Sequence, residues 1–197
     1  MKKVFILIFA VLIFGNTQNV FSQQENKSEN WLKTGSKLTY HLLNISKEYD
    51  FVITDLVMDN NIAFTWNMTA PANSSGKVKM FYGAIDTANK IVNYFSNGSS
   101  QNMVNKTTVW LSRKVYKKIK SESPTTLIID DTEEIVNFIR NEKYPITVDG
   151  AKLDYDVMVA ESATGSKFWI LDNPQYPLII KMELAFTIDL RSVETKK

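Results

Sequence analysis

Apolar and polar residues alternate with a period of two along much of this chain. Leu38, Tyr40 and Leu42 alternate with Thr39 and His41, the signature of a half-buried strand. Phe51-Val52-Ile53-Thr54 opens a second strand that runs to about Met58, and Asp59-Asn60-Asn61 supplies turn chemistry. Ile62, Phe64, Trp66 and Met68 alternate cleanly with Ala63, Thr65, Asn67 and Thr69, which predicts a hairpin with the strand before it. After a loop over 71–76, Val78, Met80 and Tyr82 resume the alternation.

The period then changes. Ala88, Ile91, Val92 and Phe95 share a helical side, so a short helix capped by Asp86 is expected through Phe95. Thr107-Thr108-Val109-Trp110-Leu111 reads as a strand, and Ser112 is placed to cap a helix from Arg113 to Lys120. Leu127-Ile128-Ile129 is apolar and β-branched, as strands are. The stretch 131–140 fits either a helix capped by Asp131 or an irregular strand through Ile135 and Phe138. Val148-Asp149-Gly150, between Ile146 and the alternating Leu153, Tyr155, Val157 and Val159, is the strongest hairpin signal. Phe168 to Leu171 and Leu178 to Met182 flank the turn Asp172-Asn173-Pro174, and Phe186, Ile188 and Leu190 close the chain.

About eight to ten short strands joined mainly by turns imply an antiparallel sheet. Helices in the middle of the sequence favour a mainly β fold (β-rich α+β): a curved sheet or incomplete barrel with a few short helices covering it. A β-sandwich is the alternative architecture.

The amino terminus has a different pattern. Two lysines precede an unbroken apolar run of 11 residues, Val4 to Phe14. As a helix the run spans about 16 Å at 1.5 Å per residue, against a bilayer core of about 30 Å. Its length and basic flank suit a signal peptide over residues 1–22, cut after Ser22. Residues 23–35 then read as a flexible polar leader and 36–197 as a single β-rich domain. A periplasmic or secreted product with no membrane span after processing is expected. Without Lys2 and Lys3 the chain carries 21 basic and 21 acidic residues. That balance provides no global field for nucleic acid. There is no cysteine, so stability rests on packing and not on disulfides.

Catalytic and metal chemistry is thinly represented. One histidine and no cysteine preclude a Cys-His pair, and no hydrolase, zinc-protease, P-loop or dinucleotide motif occurs. His41 is expected to face solvent. Asp130, Asp131, Glu133 and Glu134 suit turns and helix starts better than a calcium loop. Asp154 and Asp156 form a candidate carboxylate pair, read more simply as solvent-facing strand residues. Arg113, Lys114, Lys117, Lys118 and Lys120 give one helix a basic side, which suits either an anionic partner surface or plain solvation. No catalytic residue, metal site or cofactor is assigned.

The segment Phe168 to Lys181 resembles the closing hairpin of uncharacterised exported periplasmic β domains, of the kind found in Bacteroidetes-type bacteria and related in shape to outer-membrane lipoprotein carriers. Gly35 to Tyr40 is similar to their first strand, and Val148-Asp149-Gly150 to their penultimate turn. The resemblance implies a strongly curved sheet wrapped around short helices and enclosing an apolar cavity. The expectation is therefore an exported, non-catalytic binding or envelope-assembly module. It would hold an apolar ligand, such as a lipid or acyl chain, against Phe64, Trp66, Trp110 and Trp169, with a lipid or an envelope protein as partner. The alternatives are a protein-interaction domain without a pocket and a carboxylate-dependent hydrolase.

Overall fold

The computed structural model describes residues 31–45, 47–69 and 74–196. The segment read as a signal peptide, 1–22, and the expected leader as far as residue 30 lie outside them. Four strands form an opening meander: β1 (Lys37–Asn44), β2 (Lys47–Met58), β3 (Ile62–Met68) and β4 (Ser75–Met80). Helix α1 (Tyr82–Thr87), the short strands β5 (Lys90–Ile91) and β6 (Ser100–Met103), and helix α2 (Arg113–Lys120) follow. The chain then builds β7 (Thr125–Ile129), β8 (Thr132–Val148), β9 (Ala151–Ser162), β10 (Lys167–Leu171), β11 (Ile179–Glu183) and β12 (Thr187–Glu194).

The described residues make one 12-stranded sheet in the order β5-β7-β8-β9-β10-β11-β12-β1-β2-β3-β4-β6. Most neighbours are antiparallel. The pairs β4–β6 and β5–β7 are parallel, and the end of β8 also meets β12 in parallel at Thr147–Ser192 and Val148–Val193. That contact requires strong curvature, yet the sheet is not a closed barrel. It is a single curved sheet and not two stacked ones.

Tight turns set the register. Asp149 and Gly150 have φ of 49° and 83°, and Asp130 and Asp131 have 46° and 73°. Two successive positive φ values match the right-handed strand twist, which is why Asp-Gly is effective here. A bulge at Ile139 shifts β8 so that Phe138 faces Ala160 while Arg140 faces Val159. One extra residue exchanges the faces: Val136 and Phe138 lie on one side of the sheet, Glu142 and Tyr144 on the other.

The larger core lies between the sheet and a layer made by the helices and the segment that joins them. Tyr40, Phe51, Trp66, Met80 and Phe168 are at most 1% exposed. α2 adds Val115, Tyr116 and Ile119, and the Ser112 hydroxyl accepts from Val115 N at 3.2 Å as its N-cap.

Three expectations need correction. The helix expected from Asp86 to Phe95 lies earlier, over α1, and from Ala88 the backbone is extended. Ile91 and Val92 are buried to 1% and 0% between β7 and Thr107, and Val92 N donates to the Thr107 carbonyl. Two adjacent β-branched residues fit that doubly covered strand better than a helix. The strand expected over Thr107 to Leu111 reduces to single bridges at Thr107 and Trp110, because Val109 has φ of 61°. The leader is packed by residue 31: Trp31 and Leu32 are buried, and Trp31 meets the Tyr155 ring edge-on at 5.5 Å.

Candidate functional site

The four aromatics expected to line a ligand cavity do not share one. Phe64, Trp66 and Trp110 lie on the core side. Phe64 contacts Trp110 with ring centres 5.8 Å apart, and Trp66 stacks on Phe51 at 6.2 Å. Trp66 and Trp110 are completely buried. These rings fill the core with one another.

Trp169 is on the opposite face. A row of register partners crosses seven strands there: Asp50, His41, Asp189, Lys181, Trp169, Val159 and Arg140. Cross-strand neighbours of this kind interact directly. The Trp169 indole N–H donates to Glu142 Oε1 at 2.6 Å, and the Lys181 ammonium sits 4.5 Å from the ring centre. Arg140 pairs with the same Glu142 at 2.7 Å. Tyr144 donates to Asp189 Oδ1 at 2.8 Å. Burial, that bond and the charges of Asp189, Glu183 and Glu142 hold the Tyr144 phenol well above its usual value. His41 is not freely solvated: its side chain is 16% exposed, with Asp50 and Glu48 oxygens 3.5 and 3.7 Å from its ring nitrogens. Trp169 therefore has its polar edge and one ring face already occupied.

The acidic candidates are dispersed. Asp130 accepts from the backbone and amide nitrogens of Asn93, at 2.7 and 2.9 Å, and Asp131 pairs with Lys90. Glu134 takes hydroxyls from Thr164 at 2.7 Å and Ser166 at 3.2 Å. Asp154 and Asp156 are exposed, and Asp156 pairs with Lys143 at 2.8 Å. On α2, Arg113 and Lys120 reach Asp86 and Asp172, while Lys114, Lys117 and Lys118 are exposed.

The apolar pocket with aromatic walls lies where sequence reading had not placed it. Leu42 near the end of β1, Met68 at the end of β3, and Phe186 and Ile188 around the start of β12 bring it to one end of the sheet. Phe51, Phe95 and Val109 complete the apolar wall, and Asn93 and Thr108 form the polar side. Its volume is about 20 Å³. Phe95, Phe186 and Met68 are half-buried, so they form the rim, and Ile45 at the adjoining β1–β2 turn is 97% exposed.

Thr108 and Val109 belong to a buried, irregular crossing. The Trp110 N–H turns back onto the Thr108 carbonyl at 2.6 Å around Val109, whose φ of 61° is strained for a β-branched residue. The crossing is fixed where Ile179 N donates to the Val109 carbonyl and Leu111 N to the Pro177 carbonyl. Thr108 is fully buried and its hydroxyl has no hydrogen-bond partner among the described residues. Two larger depressions, of about 460 and 250 Å³, are open, on the outer side of β3, β4 and β6 around Lys77 and Ser100. No sequence signal marks the apolar pocket, because its lining comes from six separated segments.

Comparison of the chain with protein-family models, with curated proteins and with solved structures finds no match.

Proposed function

We propose that this chain is an exported, non-catalytic binding module that takes up an apolar group at one end of its curved sheet. The observation that carries this reading is the pocket between Leu42, Phe51, Met68, Phe95, Phe186 and Ile188, together with its half-buried rim. Its apolar walls offer dispersion contacts to a hydrocarbon group. The mutual packing of Phe64, Trp66 and Trp110 argues against a chamber for a whole lipid, since ligand pockets are commonly about 300–1,000 Å³. Export rests on the basic and apolar amino-terminal pattern.

Trp66 lies 5.2 Å from the rim residue Phe95 and 6.2 Å from Phe51, so its share of the intrinsic tryptophan fluorescence responds to the pocket. Titration with six- to eight-carbon probes is expected to give a saturable change that Phe186→Trp, which crowds the mouth, abolishes. Native mass spectrometry of protein from its own envelope is expected to show no bound phospholipid. A saturable response to none of the probes, or stoichiometric phospholipid, would overturn the reading. Incubation with esters, glycosides and peptides is expected to give no turnover that depends on Asp154 or Asp156.

A protein-interaction role is the second reading. It is favoured by Ile135 and Ile139 on β8, which are 55% and 46% exposed.

A further inference from the structure

We infer that the group taken up is the end of a neutral amphiphile whose single polar atom bonds to the Thr108 hydroxyl. This rests on the binding reading above and adds the ligand's chemical class. Three features of the pocket carry it.

First, Thr108 is fully buried, lines the pocket and leaves its hydroxyl unpaired among the described residues. A buried hydroxyl without a partner is costly, about 1–3 kcal/mol by mutational measures. A ligand oxygen at that point removes the cost. Second, the rest of the lining is apolar apart from Asn93, whose amide nitrogen is already donated to Asp130 Oδ2 at 2.9 Å. Among the polar atoms of the lining Thr108 Oγ1 is buried and unpaired, and the apolar side chains around it favour hydrocarbon for the rest of the ligand. Third, the charge held directly against that wall is negative, with Lys90 paired to the neighbouring Asp131. Asp130 is held against Asn93 by two bonds, at 2.7 and 2.9 Å, and none of the pocket-lining residues is cationic. A carboxylate or phosphate head would meet a carboxylate and lose its hydration. An alcohol or amide head meets neither obstacle.

The backbone fits this role. Val109 keeps its strained φ of 61° while its carbonyl bonds Ile179 N at 2.8 Å, which holds Thr108 at the pocket wall. Strain maintained in this way recurs at ligand clamps. About 20 Å³ admits one methyl-sized group, so a longer chain enters by outward rotation of Phe95 and Phe186. Both are only half-buried and can move toward solvent.

The experiment compares 1-hexanol, hexane and hexanoate on the intact protein by intrinsic tryptophan fluorescence and calorimetry, using wild type, Thr108→Val and Phe186→Ala. Hexanol is expected to bind most tightly and hexanoate least. Thr108→Val keeps the shape and removes the hydroxyl. It should weaken hexanol about 3- to 10-fold, the range of one net hydrogen bond, leave hexane unchanged, and leave thermal stability equal or higher. Phe186→Ala, at a partly exposed position, should strengthen both neutral ligands. Equal hexanol affinity in wild type and Thr108→Val, or hexanoate binding as tightly as hexanol, overturns this inference and leaves the apolar pocket standing. A large loss of stability in Thr108→Val shows that the hydroxyl has a structural partner and also overturns it. Binding of neither neutral ligand, even to Phe186→Ala, overturns both this inference and the reading it rests on.

Discussion

The Tyr40 hydroxyl donates to the Ile179 carbonyl at 3.0 Å, tying β1 to β11 across the intervening β12. Both residues are buried. The Ile179 backbone also holds Val109, through its N–H to the Val109 carbonyl. Tyr40→Phe keeps the ring and removes the donor, leaving a buried carbonyl short of a partner. The expected loss is about 1–3 kcal/mol. Urea unfolding should show it as a lower midpoint with an unchanged slope.

The same phenol governs stability in alkali. Burial, and then the Asp189 charge, hold Tyr40 well above its usual value of about 10, and Tyr144 is raised by burial and its own bond to Asp189. A raised folded value means that the native state keeps a proton the unfolded chain releases. Stability should thus be flat below about pH 10 and fall as pH rises beyond it. Unfolding midpoints between pH 8 and 11 test this. Tyr40→Phe and Tyr144→Phe should each reduce the slope, and an unchanged slope in both contradicts the assignment.

Glu134 gives the acid counterpart. Burial acts against its charge, but the hydroxyls of Ser162, Thr164 and Ser166 outweigh it and hold the carboxyl below the ordinary range. A lowered folded value gives stability that is present above the unfolded value of about 4.3 and is lost as pH falls through the folded one. Glu134→Gln should make unfolding below pH 4 less steep in pH. An identical acid limb in the variant would show that the hydroxyl cluster does not favour the charged form.

Gly76 is demanding for steric reasons. A Cβ there would lie 2.6 Å from the Ser99 carbonyl oxygen and 2.8 Å from the Trp66 ring. Trp66 is completely buried and cannot retreat. Gly76→Ala should destabilise by about 1–3 kcal/mol, the usual cost of overpacking. Gly98→Ala meets no atom within 4 Å and is strained only by its φ of 71°, so its effect should be smaller. Thermal melts of the two variants separate a steric from a conformational cause.

Local chemistry made much of the fold legible, and tertiary context decided the rest. Asp149-Gly150 reads as a turn because few dipeptides accept two positive φ values, and Ser112 reads as a cap because its hydroxyl matches an unpaired N–H. Ala88, Ile91 and Val92 have helical spacing, but burial from two sides makes the segment extended, and spacing alone does not reveal two-sided burial. Val109 defies local preference outright: no sequence rule puts a β-branched residue at positive φ. Trp31 was hidden by its polar neighbours. The site was less legible than the fold. The sequence points to Trp169, which serves the polar row, and Thr108 reads only as part of a strand. The pocket walls converge only after the sheet has curled.

The most direct measurement of the central claim is a methyl NMR shift map during titration with 1-hexanol. Saturable shifts are expected, centred on the methyls of Leu42, Met68, Val109 and Ile188, all of which line the pocket. Saturable shifts centred instead on Ile135 and Ile139, or the absence of saturable shifts at the solubility limit, would contradict it.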